Sequence, residues 1–221
     1  MLTGLICFGD SILAGTGASS RDLCCAKRIK SSLDHPVSLK GRNWDTSADG
    51  LIRLEIDVLS QTNLSHVLIL FGNNDSWFTA PNKPAVSVME IKNNLKQLIN
   101  KIMANQQIPI LCNLQPLNAI RTLTLNPNIA DYYQRHRSPD DVQMEYSRAI
   151  DVLSNEVNCF KIDIRSALDE KGQSVMAEDG LHPNDEGHKI IAATVLNFLK
   201  TIEPDLRLTP YGRELIQRQR T

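Results

Sequence analysis

Short apolar runs alternate along this chain with longer segments of helical periodicity, a pattern that confines it to the α/β class, with crossover helices wrapping a parallel sheet. The apolar runs are Leu5 to Phe8, Val37 to Leu39, Val67 to Phe71, Ile108 to Leu114 and Cys159 to Ile164. Between them, Arg21 to Leu33, Gly50 to Leu59, Val86 to Asn105 and Asp140 to Glu156 space their apolar residues as amphipathic helices do, and Asp185 to Leu199 completes the set. Pro109 suits the start of a strand, because it has no backbone N–H to donate. At 221 residues and 42% hydrophobic composition, the chain can bury one full core. We therefore expect one domain over residues 1–200, followed by a peripheral tail over 201–221.

Two segments resist this scheme. Gln115 to Pro139 is polar, carries Pro116, Pro127 and Pro139, and is long for a connection, so it reads either as a substrate-side loop or as an irregular surface excursion. The tail carries Arg207, Arg213, Arg218 and Arg220; it reads as a solvated terminus in preference to a basic helix against a partner. A formal net charge of −1 offers no overall attraction for nucleic acid or an anionic membrane, so neither is expected as a partner. The five cysteines are odd in number, lack zinc-ligand spacing and fall mostly in apolar stretches, which suits reduced core thiols and a cytoplasmic location. Leu2 to Phe8 lacks the basic flank and long apolar run of a signal peptide or membrane span, although a leader trimmed beforehand stays open.

Three polar clusters follow strands, where open α/β sheets present functional groups. In Gly9-Asp10-Ser11, Ser11 would stand at the mouth of the sheet, and a serine hydroxyl becomes a nucleophile when a base takes its proton. A phosphate loop built on Gly9, Gly15 and Gly17 fails on detail: no Gly-Lys-Ser/Thr follows, and Ser20 stands where a dinucleotide fingerprint needs glycine. In Asp179-Gly180-Leu181-His182-Pro183, the carboxylate can reach the imidazole around one turn, fix its tautomer and stabilise its charged form. In Gly72-Asn73-Asn74-Asp75, the Asn74 amide is a candidate donor to an oxyanion. Each cluster taken alone is also ordinary turn chemistry. Their conjunction at three strand ends points to hydrolysis.

Gly9-Asp10-Ser11, Gly72-x-Asn74-Asp75 and Asp179-x-x-His182-Pro183 resemble, in order and separation, three of the four signature blocks of SGNH (GDSL-type) hydrolases, the family of bacterial lipases and acylhydrolases. The resemblance implies a flavodoxin-like three-layer α/β/α sandwich with about five parallel strands. It also implies Ser11 as nucleophile, His182 as base, Asp179 as its partner, and an oxyanion hole formed by the N–H of Ser11, the N–H of residue 44 and the Asn74 amide. The second block departs from the pattern. Trp44-Asp45-Thr46-Ser47 with Gly50-Leu51-x-Arg53-Leu54 places Trp44 where the family has glycine; the N–H survives, but a ring cannot take glycine's backbone angles as cheaply. Trp44 then either lines the acyl pocket or is a core aromatic. Trp77 and Phe78, just past the third block, are candidate walls of that pocket.

The implied activity is hydrolysis of a small-molecule carboxylic or thio-ester through an acyl-enzyme. The alternatives are a carbohydrate O-acetyl esterase of the same family and, third, a non-catalytic binding domain on this fold. No metal or organic cofactor is expected, since His35, His66, His136 and His188 show no ligand spacing. Oligomeric state has no signature here.

Overall fold

In the computed structural model, which describes residues 1–133 and 137–217, every one of the five apolar runs contributes a strand to one parallel sheet. β1 (Leu5–Gly9) leads into a one-turn helix, α1 (Ser11–Ala14). After a short turn at Arg21–Leu23 come α2 (Cys25–Ser32), β2 (Val37–Gly41) and α3 (Ser47–Leu54), the last widening into a π-turn at Glu55–Leu59. Then follow β3 (His66–Leu70), a hairpin of β4 (Phe78–Ala80) and β5 (Lys83–Pro84), and α4 (Val88–Ala104). β6 (Ile108–Cys112), α5 (Ala119–Leu125), α6 (Pro139–Glu156) and β7 (Phe160–Ile162) complete the sheet and its crossovers. The chain ends with α7 (Ile164–Asp169), α8 (Asp185–Ile202) and α9 (Pro210–Gln217).

The sheet order is β2-β1-β3-β6-β7, with all neighbours parallel. β1 pairs with both β2 and β3, so the winding direction reverses there, and the carboxyl ends of β1 and β3 open a crevice. Alternate residues serve opposite faces. Leu5, Cys7, Leu68 and Leu70 pack under α2, α8 and α9, whereas Ile6, Phe8, Val67 and Ile69 pack under α4 and α6. This is the three-layer α/β/α architecture that the family resemblance implies.

Helix starts follow side-chain caps. Thr46 with Asp49, Ser87 with Glu90 and Ser138 with Asp141 form capping boxes at α3, α4 and α6. The last apolar run is divided: Asp163 caps Ser166 N–H, so Ile164, expected in the strand, is the first residue of α7. The cysteines are unpaired, four of them buried. No helix among the described residues is long and apolar enough to cross a membrane.

Both awkward segments are more ordered than their composition suggests. Gln115 to Pro139 contains α5 and a 3-10 turn at Pro127–Tyr132; His136 lies outside the described residues. The tail is not peripheral. Leu206, Leu208, Leu215 and Ile216 are buried in the core under α2 and α8, and Thr209 N–H donates to Ser32 O at 2.9 Å. Arg207 and Arg213 face outward while these apolar residues face in, so the charges mask an amphipathic segment; Arg218 and Arg220 lie outside the described residues.

Candidate active site

Ser11 owes its position to the break between β1 and α1. Asp10, fully buried, accepts from Ile12 N–H at 3.0 Å and so starts a helix of one turn. Ser11 is the first residue of that helix, and its N–H has no acceptor within it. Ser11 Oγ lies 2.9 Å from His182 Nε2, and His182 Nδ1 lies 2.6 Å from Asp179 Oδ2. A carboxylate can only accept, which puts the imidazole proton on Nδ1 and leaves Nε2 as the acceptor facing the serine. Asp179 also accepts, through Oδ1, from the N–H groups of Leu181 at 2.8 Å and His182 at 3.0 Å. Burial works against its charge, but these bonds, from the His182 ring first, outweigh it and hold the carboxyl down to about 2.

The histidine loop is braced from below. Ala177 N–H donates to His182 O at 2.8 Å, and Asn184 caps α8. Gly17, at φ +92°, fits beneath it; a Cβ there would fall 2.3 Å from Pro183 O and 2.7 Å from His182 Cβ. His188 accepts from Cys25 N–H at Nδ1 (3.2 Å) and therefore donates from Nε2 to Thr16 O (3.0 Å). Burial pushes its pKa down to about 4, so it is a neutral strut between α8 and the serine loop.

On the other side of Ser11, the segment after β3 ties three elements together. Asn73 Nδ2 donates to Asp10 Oδ2 at 2.8 Å, and Asn74 Nδ2 donates to Asp45 O at 2.8 Å. The buried Asp75 carboxylate accepts from the Ser47 N–H and hydroxyl at the start of α3. Desolvation raises the Asp75 pKa to about 6 and that of Asp10 to about 7. Trp44 sits at φ +68°, the left-handed region, with the next residue clamped from two directions. The Asp45 carbonyl is held by Asn74 and its carboxylate by Arg53, which also donates to Gly9 O at 2.8 Å and lies over the Phe8 ring. The glycine-like conformation expected at this position is thus present, imposed on a tryptophan.

Ser11 and His182 open into a cavity of about 140 Å³ that Trp44, Trp77 and Asn74 also line. Trp44 is 78% exposed, a rim residue and not a core aromatic. Phe78 is a correction: it is 4% exposed and stacks on Tyr133 at 4.6 Å, inside the core and away from the cavity. The long segment after β6 supplies Gln115, Leu117 and Asn126, as a substrate-side loop would. Among the described lining residues His182 is the one ionisable side chain. No group of three or more His, Cys, Asp or Glu among the described residues is placed to hold a metal.

Sequence reasoning missed the support behind Asn73. Gln143 Nε2 donates to Asn73 Oδ1 at 2.8 Å, and Arg165 Nη1 donates to Gln143 Oε1 at 3.2 Å and to Gln115 O at 2.9 Å. Gln143 and Arg165 lie on the buried sides of α6 and α7, where their polarity, if it had been noticed at apolar positions, was the available signal.

Comparison with known proteins gives the family and the fold. The profile of the GDSL-like Lipase/Acylhydrolase family matches residues 7–190. A curated relative, GDSL esterase/lipase WDL1 of Oryza sativa subsp. japonica, is 26% identical over 147 residues; the match covers 64% of this chain and 55% of that protein, about half its length. Among solved structures, the lipase/acylhydrolase from Enterococcus faecalis superposes with a TM-score of 0.70 at 24% identity, covering 94% of this chain and 98% of that one. Axe2, an acetylxylan esterase from Geobacillus stearothermophilus, gives 0.67 at 21% identity over 91% of this chain and 94% of its own. These two likenesses concern the fold. The family match spans most of the sequence and both ends of the site, and the chain belongs to the GDSL-like lipase/acylhydrolase family.

Proposed function

We propose that this protein is a serine ester hydrolase that cleaves small, uncharged esters through an acyl-enzyme. The observation that carries the reading is the hydrogen-bonded line from Ser11 Oγ through His182 to Asp179, at 2.9 and 2.6 Å. Ser11 Oγ attacks the ester carbonyl as its proton passes to His182 Nε2, and Asp179 stabilises the imidazolium. The oxyanion is held by the N–H groups of Ser11 and Trp44 and by the second hydrogen of Asn74 Nδ2, the first being engaged by Asp45 O. His182 then gives its proton to the departing alcohol oxygen, the alcohol leaves, and water repeats the sequence on the acyl-serine to release the acid.

The cavity supports a short acyl group. Its volume of about 140 Å³ is near the roughly 150 Å³ that accommodates benzene in a closed apolar site, so an acyl chain of two to four carbons fits within it and a longer chain would extend past its mouth. A second reading, an O-acetyl esterase acting on carbohydrate, is favoured by a lining rich in amides and free of carboxylates, lysine and arginine among the described residues. Hydrolysis of p-nitrophenyl acetate, butyrate and octanoate by the wild type, Ser11→Ala and His182→Ala tests the proposal. Activity on the short esters that both substitutions abolish is expected; equal activity in all three proteins would refute it.

A further inference from the structure

One polar atom beside the proposed catalytic groups has no partner. Gln115, three residues beyond β6, is 2% exposed, and its Oε1 is buried without a hydrogen-bond donor. The other buried side-chain atoms in that condition among the described residues, on His66, Thr122 and Arg165, do not line the cavity; Gln115 does. Its Nε2 donates to Leu181 O at 3.2 Å, which settles how the amide faces, because the reverse assignment would set two oxygens together. Its main-chain carbonyl is held by Arg165 Nη1 at 2.9 Å. The acceptor is therefore anchored at both ends, and a buried acceptor without a donor destabilises a fold unless something else completes the bond.

We infer that Gln115 Oε1 accepts a hydrogen bond from a free hydroxyl on the alcohol half of the ester, so that the preferred substrate is a partial ester of a neutral polyol. The inference rests on the serine-hydrolase reading and adds to it a residue that selects the leaving group. Position supports the alcohol half. Gln115 is bonded to the carbonyl of Leu181, immediately before His182, the group that protonates the departing oxygen, whereas Trp44 and Asn74 serve the oxyanion. Charge supports a hydroxyl. With no carboxylate among the described lining residues, a neutral amide oxygen suits an uncharged donor, and a buried ammonium there would lack a counter-charge.

The test compares kcat/KM for 2-hydroxyethyl acetate and 2-methoxyethyl acetate, which differ by a methyl cap on the donor. The wild type should prefer the hydroxyl ester by at least about 10-fold, the worth of one satisfied buried bond. In Gln115→Met, which has similar volume and no acceptor, the ratio should fall to within about two-fold. A wild-type ratio near one overturns the inference without any variant, and so does a preference that survives in Gln115→Met, which would make it steric. Ser11-dependent hydrolysis of p-nitrophenyl acetate with no such preference would remove the role of Gln115 and leave the hydrolase reading intact. Absence of Ser11-dependent hydrolysis of every ester would remove both.

Discussion

Replacing Trp44 by glycine separates the contribution of its backbone from that of its ring. Trp44 is held at φ +68°, which costs a residue bearing a Cβ about 1–2 kcal/mol. Its side chain is 78% exposed, so removing the indole sacrifices little buried area. Glycine relieves the strain and adds about 0.4–1 kcal/mol of unfolded-chain entropy. The balance runs from neutral to about 1.6 kcal/mol stabilising, and at about 2–4 °C per kcal/mol for a domain of this size the Tm of Trp44→Gly should lie between unchanged and about 6 °C higher. The N–H proposed for the oxyanion survives, so kcat on p-nitrophenyl acetate should stay within about three-fold while KM rises with the loss of the rim. Thermal melts and Michaelis profiles of the two proteins measure both. A 100-fold loss of kcat, the worth of a whole oxyanion donor, would refute the main-chain role, and a lower Tm would refute the strain.

Asn74→Ala should lower kcat on the same ester by about 100- to 1,000-fold with the protein still folded by circular dichroism; full activity would remove Asn74 from the oxyanion hole. Gly17→Ala places a methyl against Pro183 O and His182 Cβ in a backbone conformation that alanine disfavours. It should reduce kcat by displacing the imidazole, whereas unchanged kinetics would show that the loop yields freely. Asp179 is held at about 2 when folded, against about 3.9 in an unfolded chain. The folded state thus binds fewer protons, and this stabilisation, complete above about pH 4, fades as pH falls toward 2. Urea denaturation at about pH 5 and pH 3 should show a smaller acid loss for Asp179→Asn than for the wild type; identical losses would mean that the pair contributes nothing.

The inner strands β1, β3 and β6 were legible because burial on both faces makes each a near-continuous apolar run, and the helices because one face of each meets the sheet. Strand ends were less so. Ile164 is as apolar as the strand before it, and its helical state depends on the Asp163 cap, which hydrophobic pattern does not register. Ser11 could be found since it is a reactive type at a strand end, and Asp179 with His182 since their spacing is local, although they follow α7 and a 3-10 turn at Gly172–Val175 and not a strand directly. Gln143 and Arg165 offered only polarity at buried helix positions, and their role depends on a bond to Asn73 or Gln115 far away in sequence. Phe78 was misplaced because adjacency to Trp77 in sequence does not say which way a side chain faces, and the tail because its arginines conceal the inward Leu206, Leu208, Leu215 and Ile216.

The most direct measurement is covalent trapping of the nucleophile. An alkyl fluorophosphonate transfers its phosphorus to an activated serine oxygen with loss of fluoride, and mass spectrometry of the intact and digested protein locates the adduct. Catalysis through Ser11 predicts one adduct per chain on the peptide containing Ser11, absent in Ser11→Ala and strongly slowed in His182→Ala. An adduct on another residue, or an unmodified protein that still hydrolyses p-nitrophenyl acetate, would contradict it.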